Sequence, residues 1–275
     1  MGSKSSLKML LLAVTFGCGA RLPDPGVVPQ IVFPHDYVGN IDTSQFEEPS
    51  GLVYHPGRGT LFGVGDEGDI AEFTTDGGVI AQKHIGDRDL EGVTSDPKTG
   101  LLYVVVEGEE AILEVDPDSL GVRRSFSVDR SYRSRLVMAE GEFGTEAITF
   151  APDPSHPSGG LFYVANQSFD LNSDDDMSII AEVRVRLNEA TDSTATIEGV
   201  FSIAVIDLSG LHYDAASDHL FVISDATNTL SEITRKGVLV DTWALPGDNQ
   251  EGITVDAHGN WYIAQDSGGI IKWNP

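Results

Sequence analysis

"DLEGVTSDPKTGLLYVVVEGEE", residues 89–110, decides how this chain folds. Two β-rich runs flank the segment "SDPKTG" (95–100), whose Asp, Pro and Gly are turn formers. If the runs pair as a hairpin, Glu91 at the start of the first lies beside Glu107 at the end of the second. A single hairpin could carry such a pair by accident. A recurring one could not.

The pattern recurs as "PSGLVYHPGRGTLFGVGDEG" from Pro49 and "TEAITFAPDPSHPSGGLFYVANQS" from Thr145. It returns as "LSGLHYDAASDHLFVISDAT" from Leu208 and "QEGITVDAHGNWYIAQDSGG" from Gln250, which makes five copies. In each copy the second run is apolar on both faces, as a strand covered on both sides must be. A third and a fourth run follow, as in "AILEVD" (111–116) and "VRRSFSV" (122–128). Four antiparallel strands per repeat, arranged radially, make a β-propeller. The expectation is an all-β protein, a five-bladed β-propeller of four-stranded antiparallel blades spanning residues 30–275. The last copy ends at Pro275 after three strands, while "QIVFPHDYVGNIDTSQF" (30–46) has no copy of its own. This N-terminal strand is therefore expected to close the ring by pairing near Gly269–Trp273, leaving no exposed edge.

Four stretches carry a family resemblance. They are "DLEGVTSDPKTGLLYVVVEGEEAILEV" (89–115), "FGTEAITF" (143–150), "DLSGLHYDAASDHLFVISDATNTLSEI" (207–233) and "QEGITVDAHGNWYIAQDSGGIIKWNP" (250–275). The chain resembles the SdiA-regulated (YjiK-like) family, five-bladed propellers distantly similar to NHL-repeat proteins. The resemblance implies a calcium ion at a recurrent site and no established enzymatic activity. Two features depart from the pattern: Ala147 where the usual Glu-Gly has glycine, and the Asp-rich insertion at 169–178.

In a propeller the first strand of each blade lies nearest the axis and the second runs antiparallel beside it. The start of one and the end of the other share a face. An inner ring would then hold Ser50, Glu91, Glu146, Ser209 and Glu251, and an outer ring Asp66, Glu107, Asn166, Asp225 and Asp266. Carboxylates about 5 Å apart repel by roughly 3 kcal/mol at an effective dielectric near 20. Gathered together they either hold protons or recruit a cation. Calcium takes six to eight oxygen ligands, so Glu91, Glu146 and Glu251 are the expected metal ligands, with the outer ring as a further supply. The competing reading keeps these residues structural, bonded to the backbone of neighbouring blades; it is strongest for Ser50 and Ser209. "NSDDD" (172–176) resembles part of an EF-hand loop but lacks its glycine and terminal Glu, and reads as a solvated loop. Arg130, Arg133 and Arg135 surround Tyr132 in an acidic chain; arginine suits planar carboxylate or phosphate, so these are candidate contacts for an anionic ligand. The same cluster could simply offset local acidic charge. His55, His219 and His258 fall at the opposite-face turns and are discounted as ligands.

Composition bounds the partners. The chain has 275 residues, 40% of them hydrophobic, a formal net charge of −26 and a pI near 4.3. Such a surface repels nucleic acid and anionic membranes. Residues 1–17 combine Lys4 and Lys8 with the short apolar run "MLLLAVTFG", as a signal peptide does. Cys18, the single cysteine, follows at once and resembles the lipidated residue of a bacterial lipoprotein, although Thr15 stands where that motif usually has Leu. An ordinary cleavage site near Cys18 is the other reading. Residues 18–29 read as a Pro-rich tether. The expected location is the bacterial cell envelope, periplasmic or outer-membrane, with membrane contact only through the N-terminal lipid and the protein a monomer. Two functions stay open: a non-catalytic calcium-binding recognition module whose ligand or protein partner meets the axial mouth, and a calcium-dependent hydrolase of lactonase- or phytase-like type.

Overall fold

The structure is a computed structural model. It describes residues 33–41, 46, 48–139, 141, 144–167, 178–188 and 193–275. The signal segment, Cys18, the tether and the 172–176 tract lie outside the described residues. Among the described residues every regular element is a strand.

Each copy of the repeat folds into a four-stranded antiparallel sheet in chain order. β1 (Asp36–Asn40) stands apart from the copies. The first unit is β2 (Pro49–His55), β3 (Thr60–Gly65), β4 (Asp69–Phe73) and β5 (Val79–His84). The second is β6 (Leu90–Ser95), β7 (Leu102–Val106), β8 (Ala111–Asp116) and β9 (Gly121–Asp129), followed by a small hairpin of β10 (Ser131–Tyr132) and β11 (Arg135–Leu136). The third is β12 (Thr145–Pro152), β13 (Gly160–Asn166), β14 (Ile179–Arg184) and β15 (Ala195–Ser202). A short parallel contact, Ala195 with Val128 and Thr196 with Asp129, joins the second and third units at their outer strands. The fourth is β16 (Leu208–Asp214), β17 (His219–Ser224), β18 (Thr229–Thr234) and β19 (Leu239–Ala244). The fifth has β20 (Gln250–Val255), β21 (Trp261–Gln265) and β22 (Ile270–Asn274), and β1 occupies its fourth place.

Burial follows position in the unit. β7 and β21 are buried throughout, whereas β5 and β19 are largely exposed. The apolar core is divided into five clusters, each shared by two neighbouring units; the fifth joins Leu61 and Phe73 of the first unit to Tyr262 and Ile270 of the last. First strands pack in cyclic order: β2 on β6, β6 on β12, β12 on β16, β16 on β20, and β20 on β2. The approach is too close for side chains. A Cβ at Gly51 would lie 2.5 Å from the Glu91 carbonyl oxygen, and one at Gly252 would lie 2.3 Å from the Leu52 nitrogen.

Hydroxyls stitch the same strands together. Thr254, Thr94 and Thr149 accept from the backbone N–H groups of Tyr54, Phe150 and Tyr213 at 2.8, 3.1 and 2.9 Å, each across a unit boundary. These contacts give buried amides the partners they would otherwise lack. β1 pairs with β22 from Asp36↔Asn274 to Asn40↔Ile271. Just before it, Phe33 is 4% exposed, with its ring 5.6, 5.0 and 6.1 Å from those of Trp243, Trp261 and Trp273. Burying one such aromatic side chain contributes about 1.5–3 kcal/mol.

Candidate cation site

All five first strands break register at the same place. Pairing runs Pro49↔Gly65 then Gly51↔Val64, Thr145↔Asn166 then Ala147↔Ala165, and Leu208↔Ser224 then Gly210↔Ile223. In the other two it jumps from Leu90↔Val106 to Val93↔Val104, and from Gln250↔Gln265 to Ile253↔Ile263. Each irregularity is a β-bulge, and bulges re-aim side chains. The bulges contain Ser50, Glu91, Glu146, Ser209 and Glu251, the five inner-ring residues. All five line one cavity of about 370 Å³.

The outer ring is the residue that follows each second strand. Asp66, Glu107, Asp225 and Asp266 line the same cavity. Asn166 does not. It belongs to β13, pairs with Thr145, and is 1% exposed; its Oδ1 accepts from Ala139 N at 2.9 Å and its Nδ2 donates to the Gln167 carbonyl at 2.7 Å. Gln167 occupies the equivalent place and lines the cavity instead. The expectation for the third unit was thus one residue out of register, which turns a side chain to the wrong face.

Two further carboxylates come from the loops entering the units. Asp89 and Asp207, two residues before Glu91 and Ser209, also line the cavity. At that position the backbone of Glu48, Asp207 and Asn249 has φ of 47°, 56° and 54°, a left-handed turn that Asp and Asn tolerate better than most residues. The carbonyls of Asp89, Asp207 and Asn249 accept from the N–H groups of Glu107, Asp225 and Asp266 at 3.0, 3.2 and 3.0 Å, fixing the outer ring against the entry loop.

Among the described residues nine carboxylates therefore share one cavity, and the rest of its described lining is Ser50, Gln167 and Ser209. The charged forms are correspondingly unfavourable. Burial pushes Glu91, Glu146 and Glu251 well above the usual carboxylate range, reinforced chiefly by the charges of Asp66, Glu91 and Asp225 respectively. Burial raises Asp66 to about 6 despite the hydrogen bond that it accepts from Ser50, with Asp89 and Asp266 adding to the rise. Glu107, Asp207 and Asp225 are also raised by burial, against hydrogen bonds from Gly144 N, Gln167 Nε2 and Gln250 N at 3.1, 2.8 and 2.8 Å. Carboxyl–carboxyl contacts link Glu91 with Asp89, Asp89 with Glu107 and Glu107 with Glu146, and each needs a proton or a cation between its two oxygens.

Among the described residues, Asp66, Asp89 and Glu91 form the group whose ligand atoms all lie within 4.8 Å of one another. Oxygens on opposite sides of a calcium ion stand about 5 Å apart, so this triad fits one coordination sphere. Glu146 and Glu251 share the cavity but not the triad. The arginines lie outside the lining: Arg130 donates to the Met138 carbonyl at 3.2 Å, the Arg133 guanidinium stacks 4.9 Å from the Tyr132 ring, and Arg135 is exposed. His55 bonds the Gly100 carbonyl at 2.9 Å and His219 bonds Glu232 at 2.6 Å; these two and His258 are likewise not part of the cavity wall.

Comparison with known proteins places this arrangement. The family model described as SdiA-regulated matches residues 34–267, most of the chain. The chain belongs to the SdiA-regulated family. No curated protein matches it. A glutaminyl cyclase from Myxococcus xanthus shares its fold with a TM-score of 0.59 at 13% identity, over 88% of this chain and 97% of that one. The β-propeller domain of Cps50 (Swd1) from Myceliophteria thermophila gives 0.50 at 10% identity, over 88% and 100%. At such identities the likeness concerns the fold alone, an all-β propeller. In this SdiA-regulated chain, the repeated "DL[ES]G" at 89–92 and 207–210 was the sequence signal for the entry-loop aspartates.

Proposed function

We propose that the five units are the blades of a β-propeller closed by the N-terminal strand, and that its acidic mouth binds calcium. In this reading the protein is a non-catalytic recognition module of the cell envelope, held there through Cys18, with its partner meeting the same mouth. Support for the closure comes from the cyclic packing of the first strands and the β1–β22 pairing. One observation carries the functional reading: among the described residues, nine carboxylates line a cavity to which no Lys, Arg or His contributes. Asp66, Asp89 and Glu91 would hold the ion, with Glu146 and Glu251 completing the negative field. Bound calcium would supply the positive charge that lets these groups ionise together.

Binding is the simpler reading because the described lining is almost wholly carboxylate, whereas a hydrolase would need one of these carboxylates free of the metal as its base. The envelope location rests on residues 1–29 of the sequence.

Thermal unfolding tests the metal. A ligand that binds the folded state alone stabilises it by about 2.7 kcal/mol at a hundredfold excess over Kd. For a domain of this size each kcal/mol raises Tm by about 2–4 °C. Calcium is expected to raise Tm by several degrees, a chelator to reverse the shift, and magnesium to substitute poorly because it prefers water-rich octahedral sites. Glu91→Gln combined with Asp66→Asn should abolish the shift and keep the fold. A full shift in that variant would move the metal elsewhere.

A further inference from the structure

Another cavity lies at the other end of the five first strands, outside the cation site. It holds about 280 Å³, and its apolar wall includes Leu52, Tyr54, Val93, Phe150, Leu211 and Ile253. Small-molecule pockets start at roughly 300 Å³ and combine such a lining with a few placed polar groups. Here the polar groups follow the repeat. Val53, Thr94, Thr149, His212 and Thr254 hold one equivalent place in the five units, each opposite an aromatic residue of the second strand, and all five line the cavity.

Two features of this ring exceed what folding requires. Thr94, Thr149 and Thr254 are 4%, 5% and 1% exposed, and each accepts from the backbone of the next unit. A hydroxyl also has a proton to donate, and none of the three donates to a described residue. His212 then breaks the pattern. It stands where three other units have the stitching threonine, yet its imidazole makes no hydrogen bond or ring contact with a described residue. Burial holds it down to about 4 despite the nearby charge of Asp214, so the ring is neutral at ordinary pH. It offers one N–H donor and one acceptor nitrogen.

The chemistry of an occupant follows. A hydroxyl accepts from a threonine and donates to the imidazole nitrogen, so one group meets both features. Water does the same but leaves the apolar wall wetted, which a hydrocarbon body covers. Charge is disfavoured, because the described lining has no Lys or Arg to pair with it and Asp256 already accepts from Asn260 and Tyr262. We propose that this cavity binds a small uncharged alcohol or phenol, its hydroxyl held by His212 and the threonine hydroxyls and its hydrocarbon body by the apolar wall. A passage of only about 10 Å³ separates it from the acidic mouth, so the site is independent of the cation.

Titration calorimetry on the full chain tests the assignment with p-cresol and cyclohexanol, each against its hydroxyl-free counterpart, toluene or cyclohexane. At least one of the two alcohols should bind at a single site, equally in calcium and in chelator, and which of them does so tells an aromatic ligand from an aliphatic one. It should bind about tenfold more tightly than its counterpart, the net worth of one or two hydrogen bonds. His212→Phe, which keeps a ring and removes both nitrogens, should erase most of that preference and leave the calcium titration in place. Should it fail to fold, His212→Thr, the residue that three other units carry there, serves the same purpose. A preference retained in the variant, an alcohol no tighter than its counterpart, or no binding by either alcohol would overturn the site. Calcium failing while an alcohol binds would sink the cation reading and leave this one standing.

Discussion

At one end of the five first strands, nine carboxylates surround a cavity of about 370 Å³; at the other, a cavity of about 280 Å³ is lined largely by Leu52, Tyr54, Val93, Phe150, Leu211 and Ile253. Between them the axis narrows to about 10 Å³ among Gly51, Gly92, Gly210 and Gly252. The same strands make both ends, so the difference lies in how their polar atoms are used. At the apolar end, His212 aside, they have protein partners: the hydroxyls of Thr94, Thr149 and Thr254 accept across unit boundaries. Asp256 there accepts from Asn260 Nδ2 and the Tyr262 hydroxyl at 2.8 and 2.9 Å; burial pushes its carboxyl upward, but these bonds hold it below the usual range. At the acidic end burial wins, and it raises carboxyls that stand among one another's charges. Polar atoms that the protein satisfies hold the units together. The clustered carboxylates of the acidic end are where we propose that a cation binds.

The narrow waist between the two ends gives the largest expected effect. In Gly252→Val the new Cβ would meet Leu52 N at 2.3 Å and the Gly51 carbonyl carbon at 2.6 Å, both backbone atoms that cannot swing aside. The cost should exceed about 3 kcal/mol, at the upper end for overpacked cores. Urea unfolding measures it; a parent-like midpoint would show that the first strands can part and that the two ends are not rigidly coupled.

Titration sharpens the contrast next. Raised carboxyls bind protons more tightly folded than unfolded, so their contribution is complete below the unfolded values and is lost as pH rises through the folded ones. For Asp66 that window runs from an ordinary 3.8 to about 6, and it extends higher for Glu91, Glu146 and Glu251. Metal-free protein should lose several degrees of Tm between pH 5 and 7, and saturating calcium should flatten the slope. Glu251→Gln should raise the metal-free Tm at pH 7 by removing a half-buried carboxylate that stands among the like charges of Asp225, Asp207 and Asp266. A slope unchanged by calcium would mean that the ion does not replace those protons.

Thr149→Val reverses the sign. It removes the acceptor of Tyr213 N at the apolar end, leaving a part-buried amide without that partner at a cost of about 1 kcal/mol. Calcium should still raise Tm by its usual amount, since the hydroxyl lies beyond the waist. Loss of the calcium shift would mean that the two ends communicate.

Much of this contrast was legible in the sequence, because a repeat superposes its own errors. Five copies of one hairpin identified the inner ring residue by residue, and four of five outer positions. What failed depended on pairing, which one strand cannot announce. The apolar run of β13 begins at Leu161, one position earlier against its first strand than Leu61 in β3, so counting along that run stops at Asn166 where the equivalent place is Gln167. The bulges are invisible for the same reason, since a bulge exists only relative to a partner. Asp89 and Asp207 lay in entry loops, where nothing but their own recurrence marks them. The arginines formed a cluster in sequence, but a loop's composition does not say which way it folds.

The register slip yields the smallest expected effect and the finest test of the site's boundary. Asn166 and Gln167 are adjacent amides with different duties. Asn166 is buried and serves Ala139 N and the Gln167 carbonyl; Gln167 donates to Asp207 Oδ1 across the cavity rim. Gln167→Ala should cost about 1 kcal/mol or less in metal-free protein, the net worth of one hydrogen bond. Asp207 would then keep the bond from the Ala226 N–H at 2.8 Å, and its carboxyl, already raised by burial, should rise further. Calcium, which on the proposed reading replaces protons in the cavity, should recover part of that loss. Asn166→Ala should destabilise the third unit equally with and without calcium, because its amide faces protein and not the cavity. The two substitutions are compared by Tm in calcium and in chelator. A calcium-dependent effect at Asn166 with none at Gln167 would restore the register first read from the sequence and remove Gln167 from the cavity wall.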